Sequence, residues 1–143
     1  MRLSPVLLSL LTLAAVGCVS PSDPLARGDA LEEARKHYTA LVRWGQLERA
    51  SHFVDPAQRA AYQTLAEDFT SIRITDSEAS EPNFEGSDEA EVQVTYRAYS
   101  LATLVEGRFQ ERQTWYREPG FKSKWLVRTD LAEALQRLAA GRS

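Results

Sequence analysis

Two polar residues stand where the sequence pattern calls for apolar side chains. Phe109, Glu111, Gln113 and Trp115 occupy alternate positions and therefore share one face of a predicted strand. A carboxylate on a core-facing row is costly unless it is paired or reached by water, and one held in a pocket can act as a general base. Either Glu111 and Gln113 line the open end of a pocket, or this face meets solvent in part. We favour the second interpretation because edge-like strands often mix their faces.

The other candidate for proton transfer is His37, which lies beside Tyr38 on the apolar stripe of a predicted helix. Histidine titrates near neutral pH and can serve as a general base. A working pair would require His37 and Glu111 to converge on one enclosed cavity. We expect His37 to be packed or at the boundary of the core and Glu111 to reach solvent, so we predict no catalytic residue.

Other patterns that carry chemistry are absent from the sequence. No spacing of histidine, cysteine or carboxylate suggests a metal site, and there is neither a glycine-rich phosphate loop nor a nucleophilic serine elbow. His52, the second histidine, is expected on the surface at the end of a short helix. We therefore predict no metal and no cofactor. The formal charge of −3 also argues against nucleic acid as a partner.

The single cysteine of the chain ends an apolar run near the amino terminus. Residues 3–16 are too few to span a membrane but suit the apolar part of a secretory signal, and they lead into Ala15-Val16-Gly17-Cys18. This tetrapeptide resembles the bacterial lipobox, which implies that Cys18 is diacylated and that residues 1–17 are removed as a signal peptide. Val19 differs from the aspartate that retains enteric lipoproteins in the inner membrane. The resemblance therefore implies an outer-membrane anchor facing the periplasm, if the cell has two membranes.

A flexible tether and then one folded domain are predicted after the anchor. Residues 18–28 contain two prolines and few apolar side chains, so they have no means of burying themselves. The domain is predicted for residues 29–140, with Asp29 as the N-cap of the first helix and Gly45 ending it. The elements predicted next are a helix at 47–53, a helix from Asp55-Pro56 to 67, a strand at 71–75 and a solvated loop at 81–88.

The remaining segment, residues 89–128, is predicted to form a three-stranded antiparallel meander with a turn at Glu106-Gly107. Its first strand changes apolar phase after Ala98, which predicts a bulge that bends the sheet. A last helix follows, with Asp130 and Glu133 as its capping box. The predicted class is α+β, with N-terminal helices packed on a curved antiparallel sheet of about four strands and a short C-terminal helix.

This order of elements resembles the nuclear transport factor 2-like superfamily, an α+β cone. Residues 37–56 are similar to its N-terminal half, and residues 115–127 are similar to its final hairpin. The resemblance implies an interior that opens at the mouth of the cone, for which the candidate lining residues are His37, Tyr38, Tyr96, Glu111, Gln113 and Trp115. Its members include isomerases, dehydratases, ligand-binding modules and assembly modules, so the fold does not select a function.

Three functional classes remain open. The preferred hypothesis is an envelope-anchored lipoprotein whose non-enzymatic domain binds an envelope protein partner or helps an assembly. The second is a module that binds a small apolar ligand in the cone, and the third is an enzyme of the isomerase or dehydratase type. A deep pocket would favour the second and third classes, whereas a filled interior would leave the first.

Overall fold

The computed structural model describes residues 24–120 and 123–140. The predictions for Cys18, for the signal peptide and for the first part of the tether lie outside these residues. Within them, four helices and five strands confirm the predicted α+β class. In chain order they are α1 (Pro24–Arg43), α2 (Leu47–Ala50), α3 (Arg59–Phe69), β1 (Ile72–Ala79), β2 (Asn83–Phe84), β3 (Glu89–Ser100), β4 (Glu106–Arg117), β5 (Trp125–Thr129) and α4 (Leu131–Ala139).

The first helix starts earlier than its sequence predicts. It begins at Pro24, so the N-cap assigned to Asp29 was wrong and Pro24–Gly28 is helical rather than part of a tether. Proline suits the first turn of a helix because its missing N–H would have no intrahelical partner there. Gly45 has φ +68°, the left-handed conformation predicted for the residue that ends this helix.

The third helix starts at Arg59, later than the predicted first residue Pro56, so the predicted N-cap Asp55 was wrong. The Asp55 carboxylate accepts a hydrogen bond from the backbone N–H of Ala57 at 2.8 Å. An aspartate that bonds to the backbone two residues ahead closes a turn, which here precedes the helix. The solvated loop predicted at 81–88 likewise contains the two-residue strand β2.

The sheet is antiparallel in the order β1-β3-β4-β5, and β2 also pairs with β3. Strands β3 and β4 pair without interruption from Glu89–Tyr116 to Tyr99–Glu106, so the bulge predicted in β3 was wrong. The register shift lies instead in β1, between Ile74 and Asp76. The apolar phase changes after Ala98 because β3 ends two residues later and residues 101–105 form the turn. Glu106-Gly107, predicted as that turn, begins β4.

The helices cover one face of this sheet and enclose the core. Helix α4 packs on β4, and α1 contacts both β1 and β5. The edge of β5 is also bonded by the segment before α3, because Asp55 N donates to Val127 O and Val127 N donates to Phe53 O, each at 2.8 Å. The helical layer is therefore fixed to the sheet by backbone hydrogen bonds as well as by packing.

The start of α4 is held by a different residue from the predicted one. Asp130 is the N-cap by position, but its side chain makes no capping bond, so the predicted capping box was wrong. The Thr129 hydroxyl instead accepts from Leu131 N at 3.0 Å, while the Asp130 carboxylate accepts from Arg112 N on β4 at 2.6 Å. The two side chains together fix α4 against the sheet.

Candidate functional site

The inner row of β4 is buried from Phe109 to Trp115, polar residues included. Glu111 and Gln113 have no solvent exposure, so the prediction that this face meets solvent was wrong. Val94 and Val92 lie directly opposite them on β3, and Thr129 lies opposite Gln113 on β5. These two polar side chains are central in the sheet, and the helices cover them.

The Glu111 carboxylate accepts hydrogen bonds from four side chains. Three of them lie on other elements and the fourth lies on its own strand. Oε1 accepts from the Tyr38 hydroxyl on α1 at 2.7 Å and from the Thr129 hydroxyl on β5. Oε2 accepts from the Tyr96 hydroxyl on β3 at 2.8 Å and from Gln113 Nε2 at 2.9 Å. The carboxylate thus joins the first helix to three adjacent strands.

The network continues through Gln113 to an aromatic group. Trp115 Nε1 donates to Gln113 Oε1 at 2.9 Å. The Tyr38 ring packs edge-on against Trp115 with centroids 5.7 Å apart, and Tyr96 stacks on Phe109 at 5.0 Å. We call the hydrogen-bonded set the Glu111 cluster; its members are Tyr38, Tyr96, Glu111, Gln113, Trp115 and Thr129.

Burial controls the protonation of this cluster. It raises the pKa of Glu111 above its ordinary value of 4.5, while the hydrogen bonds from Thr129, Gln113 and the two tyrosines oppose that rise. The pKa values of Tyr38 and Tyr96 lie well above 10, first because both hydroxyls are buried and second because the Glu111 charge is adjacent. Both tyrosines therefore remain neutral donors.

The four hydrogen bonds that the Glu111 carboxylate accepts limit the chemistry it can perform. A carboxylate offers about four lone-pair positions, and four donors occupy them here. A general base must have a free lone pair within reach of a substrate proton. Five of the six predicted pocket residues do come together, but as a packed interior: Tyr38, Tyr96, Glu111, Gln113 and Trp115 each have 0% exposure.

The sixth predicted residue, His37, lies elsewhere. It is exposed rather than at the boundary of the core, although its ring packs edge-on against Phe53 with centroids 5.3 Å apart. His37 and His52 line one surface groove of about 450 Å³, together with Ala30, Glu33, Ala34, Phe53, Arg117, Ser123, Lys124 and Trp125. Since Glu111 is not among these residues, His37 and Glu111 do not converge on a common cavity, as predicted. In residues 24–120 and 123–140, no group of three or more His, Cys, Asp or Glu is placed to hold a metal ion.

A larger groove opens at the end of the sheet where β3 turns into β4. It has a volume of about 660 Å³ and lies beneath α4. We call it the end groove; its lining residues are Asp68, Ser71, Ile72, Ala98, Ser100, Thr103, Val105, Glu106, Gly107, Leu135, Gln136, Leu138 and Ala139. No member of the Glu111 cluster lines it, so the end groove and the buried network are separate features.

Sequence reasoning missed Thr129 as a partner of Glu111. The two residues are brought together only by the pairing of Gln113 with Thr129, which depends on the β4–β5 register. A threonine next to the start of a helix is more readily explained as a cap, and Thr129 does accept from Leu131 N. Nothing in the local sequence distinguishes a threonine that only caps the helix from one whose hydroxyl also donates to a buried carboxylate, as Thr129 does here.

Comparisons with protein-family models, with curated proteins and with solved structures found no match to this chain. Among the helices of residues 24–120 and 123–140, none is both long and apolar enough to cross a bilayer. The candidate features of this domain are therefore the buried Glu111 cluster, the groove that holds both histidines and the end groove.

Proposed function

We propose that this protein is a lipoprotein of the bacterial cell envelope, anchored at Cys18, whose domain binds a partner protein and carries out no reaction. The proposal combines a sequence motif with a property of the fold. The motif is Ala15-Val16-Gly17-Cys18 after a short apolar run, which resembles the lipobox. Two acyl chains on one cysteine would give stable membrane attachment. We place the anchor in the outer membrane, facing the periplasm, for a cell that has two membranes.

The observation that carries the non-enzymatic part of the proposal is the filled interior. The five predicted pocket residues in the Glu111 cluster have no solvent exposure, and the Glu111 carboxylate is fully hydrogen-bonded. A substrate would have to displace at least one of these donors to reach Glu111. That displacement would leave a buried hydroxyl or amide unpaired, at a cost of about 1–3 kcal/mol for each group.

The same observation counts against the ligand-binding alternative. A module for a small apolar ligand needs an apolar cavity large enough to enclose it. The rings of Tyr38 and Trp115 instead pack on each other and on Phe53. The Tyr96 ring stacks on Phe109. Apolar side chains available to a partner protein lie on the surface instead. Beside the end groove, Val105 and Leu104 are exposed by 67% and 72%.

The anchor is tested by comparing the chain with its Cys18→Ala variant in the cell envelope. We expect the original chain to take up labelled fatty acid and to remain with membranes after a salt wash. The variant should take up no label and should accumulate as unprocessed precursor or as soluble protein. Equal processing and equal membrane retention of the two chains would contradict lipidation at Cys18.

Partner binding is tested in the same cells by placing a photo-crosslinking amino acid at three exposed positions on different faces. These positions are Trp44 directly after α1, Gln93 on the outer face of the sheet and Val105 in the β3–β4 turn. A discrete adduct from at least one of them, lost on Cys18→Ala, is the expected result. Absence of adducts from all three positions would contradict a partner-binding domain.

A further inference from the structure

Two buried hydroxyl groups beside the Glu111 cluster have no hydrogen-bond partner. They are the hydroxyls of Thr39 on α1 and Tyr62 on α3, and neither bonds to any group in the part of the chain that the structure describes. A buried hydroxyl in this condition has lost its bonds to water without replacing them, which costs free energy. Because such groups are rare in folded proteins, two of them beside one carboxylate need a physical reason.

Each of these hydroxyls adjoins a tyrosine that donates to Glu111. The rings of Tyr62 and Tyr38 have centroids 6.3 Å apart, and the Tyr62 hydroxyl, after burial and the Glu111 charge, raises the pKa of Tyr38. The Thr39 hydroxyl adjoins Tyr96, where it opposes the rise in pKa that burial and the Glu111 charge cause. Tyr38 and Tyr96 each give their one hydroxyl proton to Glu111, at 2.7 and 2.8 Å, so they have none to donate to the second hydroxyl.

The ionised form of Glu111 has no buried cation to balance its charge. Among the described residues, those that are buried include no lysine, arginine or histidine. The titratable side chains that face Glu111 are Tyr38 on α1, Tyr62 on α3 and Tyr96 on β3. Strand β5 contributes the Thr129 hydroxyl, and α4 contributes apolar side chains to the core. Binding a proton would therefore remove an unbalanced buried charge.

Protonation would also give one of the two hydroxyls a partner. A proton on Glu111 Oε1 needs an acceptor, and the Tyr38 oxygen can accept it if the Tyr38 proton turns to the Tyr62 hydroxyl. A proton on Oε2 can be accepted in the same way by Tyr96, whose own proton then turns to Thr39. Either arrangement keeps three of the four present bonds to Glu111 and replaces the fourth by two bonds in series. The protonated cluster thus contains one hydrogen bond more than the ionised cluster.

We infer that the Glu111 cluster is a proton-binding switch in which the Tyr62 and Thr39 hydroxyls are the last acceptors. In the ionised form the cluster joins α1 to the sheet. In the protonated form the bond from Tyr38 to Tyr62 also joins α1 to α3. The switch changes hydrogen bonds within one fold and requires neither the lipid anchor nor a partner protein, so it goes beyond the proposed function.

The switch is tested by following the ¹³C signal of the Glu111 carboxyl group in the full chain and in the double variant Tyr62→Phe/Thr39→Val. Both substitutions keep the shape of the side chain and remove a hydroxyl that only the protonated form pairs. The double variant should lower the midpoint by about 0.5–1 pH unit, because the protonated form loses one hydrogen bond. Each single variant should lower it by less, since the other acceptor remains. An unchanged or higher midpoint in the double variant would overturn the inference.

The matched control makes the same two chemical changes on the opposite face of the sheet. Tyr99→Phe and Thr95→Val both lie on the outer row of β3, away from the buried row that holds Tyr96. This pair should leave the midpoint of Glu111 unchanged. If the control pair lowers the midpoint as much as Tyr62→Phe/Thr39→Val does, the shift does not come from the two buried hydroxyls and the inference fails.

Amide hydrogen exchange tests the link between α1 and α3. The quantity compared is the protection of α3 amides below the Glu111 midpoint divided by their protection above it, after correction for the intrinsic pH dependence of exchange. This ratio should be about threefold smaller in Tyr62→Phe than in Thr39→Val, because only the first substitution removes the bond from α1 to α3. Equal ratios in the two variants would show that proton binding does not join these helices and would overturn the inference.

Discussion

Glu111→Ala is expected to lower the free energy of unfolding by about 3–5 kcal/mol. The substitution leaves a cavity in the core and removes the acceptor for four donors, which come from Tyr38, Tyr96, Gln113 and Thr129. The buried Tyr38, Tyr96 and Gln113 groups then lose their partner while remaining out of reach of water. Chemical denaturation followed by circular dichroism measures the effect.

Glu111→Gln is the matched control for this prediction. It keeps the volume of the side chain and one oxygen acceptor, so the expected loss is smaller, about 1–3 kcal/mol. If both variants were as stable as the original chain, the cluster would not be a structural element of the interior. Glu111 would then have to be considered again as a group that faces a pocket.

Trp125→Ala is the second substitution with a large expected effect, about 3–5 kcal/mol. Trp125 is the first residue of β5 and is only 4% exposed, as predicted from its place beside Leu126 and Val127. Its indole N–H is buried and has no hydrogen-bond partner among the described residues. The loss should therefore come from packing and from the Arg117 guanidinium, which lies 6.0 Å from the ring centroid, and Trp125→Phe should recover most of the stability.

Trp44→Ala is the matched control for this second prediction because Trp44 is 73% exposed. A surface substitution of this kind should change the free energy of unfolding by no more than about 0.5 kcal/mol. Melting curves of the Trp125→Ala and Trp44→Ala chains should therefore differ widely. A Trp125→Ala chain that melts together with the original chain would show that the ring does not support the fold.

The fold was predictable from the sequence where a pattern is local and repeated. Alternation along residues 89–98 and 109–115 identifies the side chains that share a face in β3 and in β4. The inner face of β3 is buried as expected, whereas the inner face of β4 is buried although it was expected to meet solvent in part. Errors arose where the chain makes contacts that no local pattern contains. The Asp55 carboxylate, for example, accepts from the Tyr116 hydroxyl and from Arg128 Nε, so it bonds to side chains of β4 and β5 and does not cap α3.

The sequence predicted only part of the set of residues that meet in the interior, and it did not predict how they interact. Tyr38, Tyr96, Glu111, Gln113 and Trp115 come together because all five lie on faces directed toward the core, whereas His37 lies elsewhere and Thr129 was not predicted. Whether such polar groups surround a cavity or bond to one another depends on differences of about 1 Å in their separation. The spacing of residues along the sequence does not determine these separations. The Tyr38 and Tyr96 hydroxyls lie 2.7 and 2.8 Å from Glu111, and these two contacts close the interior.

The central claim, that the interior is closed and Glu111 has a structural role, is tested most directly by titrating Glu111. The carboxyl carbon can be followed by ¹³C NMR as the pH is raised and assigned by its loss in Glu111→Gln. Burial should place the midpoint above 4.5, so the folded chain holds a proton there that the unfolded chain has released. Stability from this group should therefore be fully present below pH 4.5, fall as the pH rises through the folded pKa, and then level off. A midpoint at the ordinary value of an exposed glutamate, with no such pH dependence relative to Glu111→Gln, would contradict a closed interior and restore the ligand-binding and enzymatic hypotheses.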